Sequence, residues 1–129
     1  MKPICLDTSG WIEIALDGTN AKRFAKALSS SAPLIVSTIS IYEIAKYTTR
    51  EAGEQAAADL LAFIRQYQVV EVDADLCITA AAISARHQLA MADALIYATA
   101  LTRNATLWTQ DNDFKDLLHV KYFPKIKPS

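Results

Sequence analysis

PICLDTSGWIEIAL, residues 3–16, is a short apolar run that ends on an acid and turns at once into a helical pattern. Pro3 to Asp7 reads as a short strand. Thr8 to Leu16 reads as a helix, with Trp11, Ile12, Ala15 and Leu16 at helical spacing. Strands that alternate with helices in this way build a parallel sheet covered on both faces, the α/β class. Ligands in such sheets bind beyond the carboxyl ends of the strands, where strand order reverses. Asp7, at the end of the first strand, therefore stands where a site is expected.

The alternation continues along the chain. Asp17-Gly18-Thr19-Asn20 breaks the first helix, and Ala21 to Ser29 resumes with Phe24, Ala25, Ala27 and Leu28 apolar. Leu34 to Ser37 is a short buried strand. Thr38 to Arg50 and Glu54 to Tyr67 are helices, separated by Gly53 as a terminator, and form an antiparallel pair. Val69 to Val72 is a strand, and Asp73 caps an alanine-rich helix that runs to His87. Met91 to Arg103 is a helix, Ala105 to Thr109 a strand, Asp113 to Leu118 a helical turn and Val120 to Phe123 a last strand. Lys125 to Ser129 forms a polar tail. With 129 residues and 52% hydrophobic content, residues 1–129 fit one domain with a real core.

Composition narrows the chemistry. Cys5 and Cys77 lie far apart in apolar runs with no Cys-x-x-Cys or Cys/His cluster, so they read as reduced core residues of a cytosolic protein. His87 and His119 are isolated, without the second ligand a zinc site needs. No signal peptide pattern opens the chain and no apolar run is long enough to span a bilayer, so a cytoplasmic location is expected. Thirteen basic against fourteen acidic residues give a net charge of −1. A protein that grips nucleic acid mainly by charge would be basic, so any such contact comes from a local patch.

Four acids in four separate stretches carry the functional signal: Asp7 in LDTSGWIE, Glu43 in ISIYEIAKY, Asp93 in LAMADALIYATA and Asp111 in LWTQDNDF. Taken singly, each has an ordinary reading. Asp7 and Asp93 suit the first turns of their helices. Glu43 stands three residues before Lys46, the spacing of a surface pair, and Asp111 lies among turn formers. Those readings leave the apolar company of the acids unexplained. Asp93 lies between Leu89-Ala90-Met91-Ala92 and Ala94-Leu95-Ile96, and Glu43 is flanked by Ile41, Tyr42, Ile44 and Ala45. A half-buried carboxylate is costly unless paired or bound to a cation. Oxygen-only ligands select Mg²⁺ or Mn²⁺, cations that usually act on phosphates.

These four stretches, in this order and over nearly the whole chain, resemble the PIN-domain ribonucleases, and among them the VapC-like toxins of toxin-antitoxin pairs. The resemblance implies a three-layer α/β/α sandwich with a short central parallel sheet. It also implies an Mg²⁺- or Mn²⁺-dependent endoribonuclease that hydrolyses RNA phosphodiester bonds and pairs with a cognate antitoxin. By the same resemblance Asp7, Glu43, Asp93 and Asp111 are the metal-binding acids, with Glu43 either a ligand or the group that positions and deprotonates the attacking water. Thr8 or Ser9, together with Thr109, are their hydroxyl partners. Asp113 is either an extra acid or the cap of the short helix after it, with the cap preferred. One metal or two fit equally.

Other readings of the residues follow. RNA has two basic groups to approach over, Lys22, Arg23 and Lys26, or Lys121, Lys125 and Lys127, each of which is otherwise a solvated face. Trp11 and Tyr97 are candidates to stack a base near the site, although both fit helical core spacing, and core is the preferred place for Trp11. The apolar faces of the helices Glu54 to Tyr67 and Asp73 to His87 predict a homodimer or a partner peptide. Four close carboxylates should repel, so Asp7→Asn is expected to raise stability without metal. An aspartyl-phosphate phosphatase wants a second Asp two residues after the first, where Ser9 stands. A catalytically silent PIN-like scaffold or protein-binding domain is the alternative from another class.

Overall fold

Alternation along three short strands sets the layers. In the computed structural model, which describes residues 1–127, β1 (Ile4–Leu6), β2 (Leu34–Ser37) and β4 (Thr106–Thr109) are buried almost throughout. Ile4, Leu6, Leu34, Val36 and Trp108 join one apolar cluster, whereas Cys5, Ile35 and Leu107 join another. Successive strand residues face opposite sides, so strands apolar at every position need cover on both. Trp11, Phe24, Ile44 and Ile64 cover the first face from α1 (Thr8–Ala15), α2 (Ala21–Ser29), α3 (Thr38–Ala52) and α4 (Glu54–Ile64). Leu76, Ala80, Ala94 and Ala98 cover the second from α5 (Ala74–His87) and α6 (Met91–Thr102). This is the three-layer sandwich expected.

With β3 (Gln68–Val70) and β5 (Val120–Tyr122) the sheet runs β3-β2-β1-β4-β5, and every pairing is parallel. The chain builds outward from β1 through β2 to β3, then returns to the other side of β1 for β4 and β5. Strand order therefore reverses between β1 and β4, which leaves a crevice beyond their carboxyl ends. Their register, Ile4 opposite Thr106 and Leu6 opposite Trp108, brings the ends level. The Asp7 amide then donates to the Trp108 carbonyl at 3.0 Å.

Several boundaries shift for local reasons. β3 ends at Val70 rather than Val72, because the Val72 amide donates to Thr38 Oγ1 at 3.2 Å instead of to a strand. α4 ends at Ile64, and Arg65 to Tyr67 turn back into β3. Gly53 terminates α3 with φ of 91°, a left-handed conformation that favours glycine. The helical turn expected over Asp113 to Leu118 is a 3-10 turn that starts one residue earlier and is shorter, at Asn112–Phe114. Cys77 is exposed, not core: on α5 it stands beside the inward residues Leu76 and Ala80 and faces outward, while Cys5 is fully buried. The tail is tied down, since Asn20 Nδ2 donates to the Pro124 carbonyl and Thr19 Oγ1 to that of Ile126, each at 3.0 Å. Pro128 and Ser129 of the expected tail lie outside the described residues. Among the described residues, no helix is long and apolar enough to cross a membrane.

Gly10 sets how closely α1 and α2 approach. A Cβ there would lie 2.8 Å from Phe24 Cδ1, and Phe24 is fully buried with its ring edge-on to Phe123. Gly10→Ala gains about 1 kcal/mol of helix propensity but overpacks this contact by about 1–3 kcal/mol. A lower urea midpoint at unchanged slope is expected; an equal or higher midpoint would mean that α2 yields freely.

Candidate metal centre

Asp7 is the most constrained acid. It caps α1, with Oδ1 accepting from the Thr8 amide at 2.8 Å, which bears out the cap reading and leaves Oδ2 for other partners. Oδ2 accepts from Thr109 Oγ1 at 2.8 Å and from Ser9 Oγ at 3.1 Å. Thr109 in turn accepts from the Asp111 amide at 2.9 Å, which fixes its hydroxyl proton toward Asp7. The carboxylate is buried. Burial pushes its pKa up to about 6, helped by the Asp111 charge, even though the hydrogen bonds from Thr109, Thr8 and Ser9 act to lower it.

Asp93 occupies the first turn of α6, a helix whose residues from Ala94 to Ala100 are all buried, so its position is set by the core. Half-buried itself, it has its pKa raised to about 7, by burial first and then by the charges of Asp111, Asp7, Asp113 and Glu43. Asp111 follows β4 and caps the 3-10 turn, its Oδ1 accepting from the Asp113 amide at 2.9 Å. The preferred reading of Asp113 as the cap is thereby corrected: Asp111 takes that role two residues earlier, and Asp113 lies inside the turn. Asp93, Asp111 and Asp113 each bring a carboxylate oxygen within 4.8 Å of the others.

Glu43 comes from α3. Its Oε1 accepts from Thr8 Oγ1 at 2.7 Å, and that hydroxyl also lies 3.0 Å from Oγ of the buried Ser40. The hydroxyl partners thus divide their work: Ser9 and Thr109 orient Asp7, and Thr8 orients Glu43. The surface pair of Glu43 with Lys46 does not form, since Arg50 with Glu51 is the sole ion pair among the described residues. Asp7, Thr8, Ser9, Glu43, Asp93 and Asp111 line one open cleft of about 440 Å³.

The donor set fits a hard divalent cation. Its oxygens come only from carboxylates and hydroxyls, burial and neighbouring acids raise the pKa values of Asp7 and Asp93, and among the described residues no Lys or Arg forms an ion pair with these acids.

The same cleft contains side chains that the motif reading missed. Tyr42, Lys46, Tyr47 and Arg50 line its α3 wall. Their signal lay in YEIAKYTTR, where Tyr42, Lys46 and Arg50 recur every four residues and Lys46 and Tyr47 follow Glu43 by three and four. The basic groups proposed for RNA, Lys22, Arg23 and Lys26 on α2 and Lys121, Lys125 and Lys127 near the end, do not line the cleft. Lys121 instead lies over the Trp108 ring at 4.3 Å. Trp11 is core, beside Tyr67. Tyr97 is core as well rather than a base-stacking residue: its ring packs near Phe114 and its hydroxyl donates to the Leu118 carbonyl at 2.7 Å.

A profile of the PIN domain matches residues 4–118. The chain belongs to the PIN-domain family. Among curated proteins, no sequence matches significantly. Solved structures share the fold at low identity. A toxin-antitoxin complex from Klebsiella pneumoniae superposes with a TM-score of 0.79 at 22% identity, over 95% of this chain and 99% of that one. The sarcin-ricin-loop-cleaving toxin VapC20 of Mycobacterium tuberculosis gives 0.76 at 23% identity, over 97% and 99%. VapBC2 from Rickettsia felis, bound to a DNA fragment from its promoter, gives 0.75 at 17% identity, over 94% and 98%.

The raised carboxylates of this PIN domain make metal-free stability depend on pH. Both folded pKa values, about 6 for Asp7 and about 7 for Asp93, lie above the ordinary aspartate value of 3.8. The folded state therefore holds more protons between these limits, and stability is full below about pH 4 and falls as pH rises to about 7. Asp93→Asn is expected to remove most of this slope and, in EDTA at pH 8, to raise stability by about 1–2 kcal/mol after allowance for solvent screening. The gain expected for Asp7→Asn is smaller, because an amide nitrogen there would face a hydroxyl or amide donor that now meets an oxygen. Melting curves from pH 4.5 to 8 check this, and a flat wild-type profile would count against clustered acids.

Proposed function

We propose that the chain is a single-domain, metal-dependent endoribonuclease, the toxin of a toxin-antitoxin pair, with Asp7, Asp93 and Asp111 holding Mg²⁺ or Mn²⁺. The observation that carries the reading is the meeting of Asp7, Glu43, Asp93 and Asp111 around a cleft at the switch point of a PIN sheet, with Asp7 and Asp93 raised by burial and by neighbouring acids. Asp113 joins them as a further acid, supported by its distance to Asp93 and Asp111. The toxin structures that share the fold support the biological role.

A divalent cation bound here supplies a Lewis acid for a phosphate oxygen and a water of lowered pKa. The chain's own residues do the positioning. Thr109 and Ser9 keep Asp7 Oδ2 in place, the kind of support that holds a ligand oriented. Thr8 holds Glu43 by Oε1, leaving Oε2 to accept a proton from the attacking water or to serve as a ligand. Water attacks the phosphorus in line, the bond to the ribose oxygen breaks, and that oxygen leaves with a proton.

The reading carries a cytoplasmic protein with a cognate antitoxin. It also carries a homodimer, supported by apolar side chains in solvent on the second helical layer, Ile78 at 70% and Met91 at 76% exposure.

The test incubates the purified chain with transfer and ribosomal RNAs in Mg²⁺, Mn²⁺ or EDTA. Discrete cleavage that needs metal and falls at least about 100-fold in Asp7→Asn and Asp93→Asn is expected. Separately, Mn²⁺ at about 100 times its dissociation constant should stabilise the wild type by about 2.7 kcal/mol, and Thr109→Val should weaken Mn²⁺ binding about 10–100-fold. Neither cleavage nor a Mn²⁺ shift would leave the scaffold reading.

A further inference from the structure

An acidic cleft repels the backbone of any nucleic acid it is to cut, so a substrate must be drawn in by charge of the opposite sign close by. The protein as a whole does not supply it, with a net charge of −1, and the basic residues of α2 and the tail lie off the cleft. One wall of the cleft has the needed character. Tyr42, Lys46 and Arg50 of α3 are spaced four residues apart, which aligns them along one helix face beside Glu43.

We propose that this α3 strip is the substrate-positioning surface of the site: Lys46 and Arg50 take successive backbone phosphates of single-stranded RNA, and Tyr42 stacks a base beside the scissile bond. The proposal rests on the endoribonuclease reading for its substrate, while its geometry stands independently. Lys46 makes no ion pair or hydrogen bond among the described residues, so its charge is free for an anion. Arg50 lies over the Tyr47 ring at 5.3 Å, which holds its guanidinium at the cleft wall. Its link to Glu51, 3.2 Å long between side chains 63% and 50% exposed, is a solvated pair that a phosphate can displace. Tyr42 is 62% exposed and lines the cleft, an unusual place for a ring with no ligand to stack on. The aromatic residues first considered for stacking are both in the core. Phosphate contacts fix the register of a strand, and a stacked base fixes which linkage reaches the acids. The strip therefore decides where the chain cuts, while the carboxylates decide that it cuts.

The test measures binding of a fluorescent 12-nucleotide RNA to the full chain by anisotropy, in EDTA so that no RNA is consumed, across a series of salt concentrations. Lys46→Ala and Arg50→Ala should each weaken binding about 3–10-fold, and the pair should reduce the slope of log K against log salt by about 1.4, the single-strand value for two lost phosphate contacts. Tyr42→Ala should weaken binding about tenfold at unchanged slope. A Lys22→Ala/Arg23→Ala control should change neither. All these side chains are exposed, so circular dichroism and melting curves should match the wild type. Wild type that fails to bind RNA, or a Lys46/Arg50 double variant with wild-type affinity and slope, overturns the strip. A cleavage assay in Mn²⁺ separates the two readings: cleavage with KM unchanged in the double variant sinks the strip alone, whereas strip-dependent binding without cleavage sinks the nuclease alone.

Discussion

The 2.8 Å hydrogen bond from Thr109 Oγ1 to Asp7 Oδ2 joins the ends of the two strands between which the sheet changes direction. It forms because the register of β1 and β4 brings Leu6 opposite Trp108, one residue short of each partner. The bond has consequences on both sides. Toward the core it closes the gap between diverging connections. Toward the cleft it uses one lone pair of Asp7 and, through the Asp111 amide on the same hydroxyl, ties the start of the next acidic segment to the same point. A buried carboxylate that receives three donors would ordinarily sit low in pKa, yet Asp7 is pushed up to about 6. Burial and a neighbouring negative charge outweigh the three bonds, and what the arrangement lacks is positive charge.

The acids reach the cleft from elements that have other reasons to be rigid. Asp7 is the cap of α1, Asp93 is fixed by a helix buried along nearly its full length, and Asp111 is the cap of a 3-10 turn. Each would keep its place with no cation present, so their mutual repulsion is borne by the fold rather than relieved by movement. The hydroxyls of Thr8, Ser9 and Thr109 then choose among the rotamers that remain. Thr8 links two elements that share no sheet contact, α1 and α3, and couples the position of Glu43 to that of Asp7 through a single residue.

Much of this was legible in the sequence. Strands apolar at every position could only be central strands of a covered parallel sheet, and the four acids stood in stretches where a charge had to be explained. The features that escaped depend on competition between partners that are distant in sequence. Val72 has the valine of a strand, but Thr38 takes its amide. Asp111 and Asp113 are both good caps, and two residues of TQDNDF give no basis for choosing until the direction of the chain leaving β4 is known. Tyr97 fits the spacing of a helical core, as the structure bears out, whereas Cys77 has the apolar neighbours of a core residue although its own direction is outward. Charge misled in another way: the eye finds lysines that are adjacent in sequence, as on α2, whereas Lys46 and Arg50 are brought together only by the pitch of α3.

The distribution of charge around the cleft follows from these placements. Three of the acids come from the carboxyl edge of the sheet and the start of α6, while Glu43 and the bases share α3, and among the described residues the cleft's acids and bases do not neutralise in pairs. In a site built for stability alone, Lys46 and Arg50 would be expected to turn onto Asp93 or Glu43, since each such contact would relieve a costly carboxylate. Arg50 is instead held on Tyr47 and Glu43 on Thr8. Two separate contacts, one on each side, keep the charges apart. On the proposed reading, that separation leaves room for a cation and an anion within one cleft, which is the electrostatic requirement for bringing a metal and a phosphodiester together.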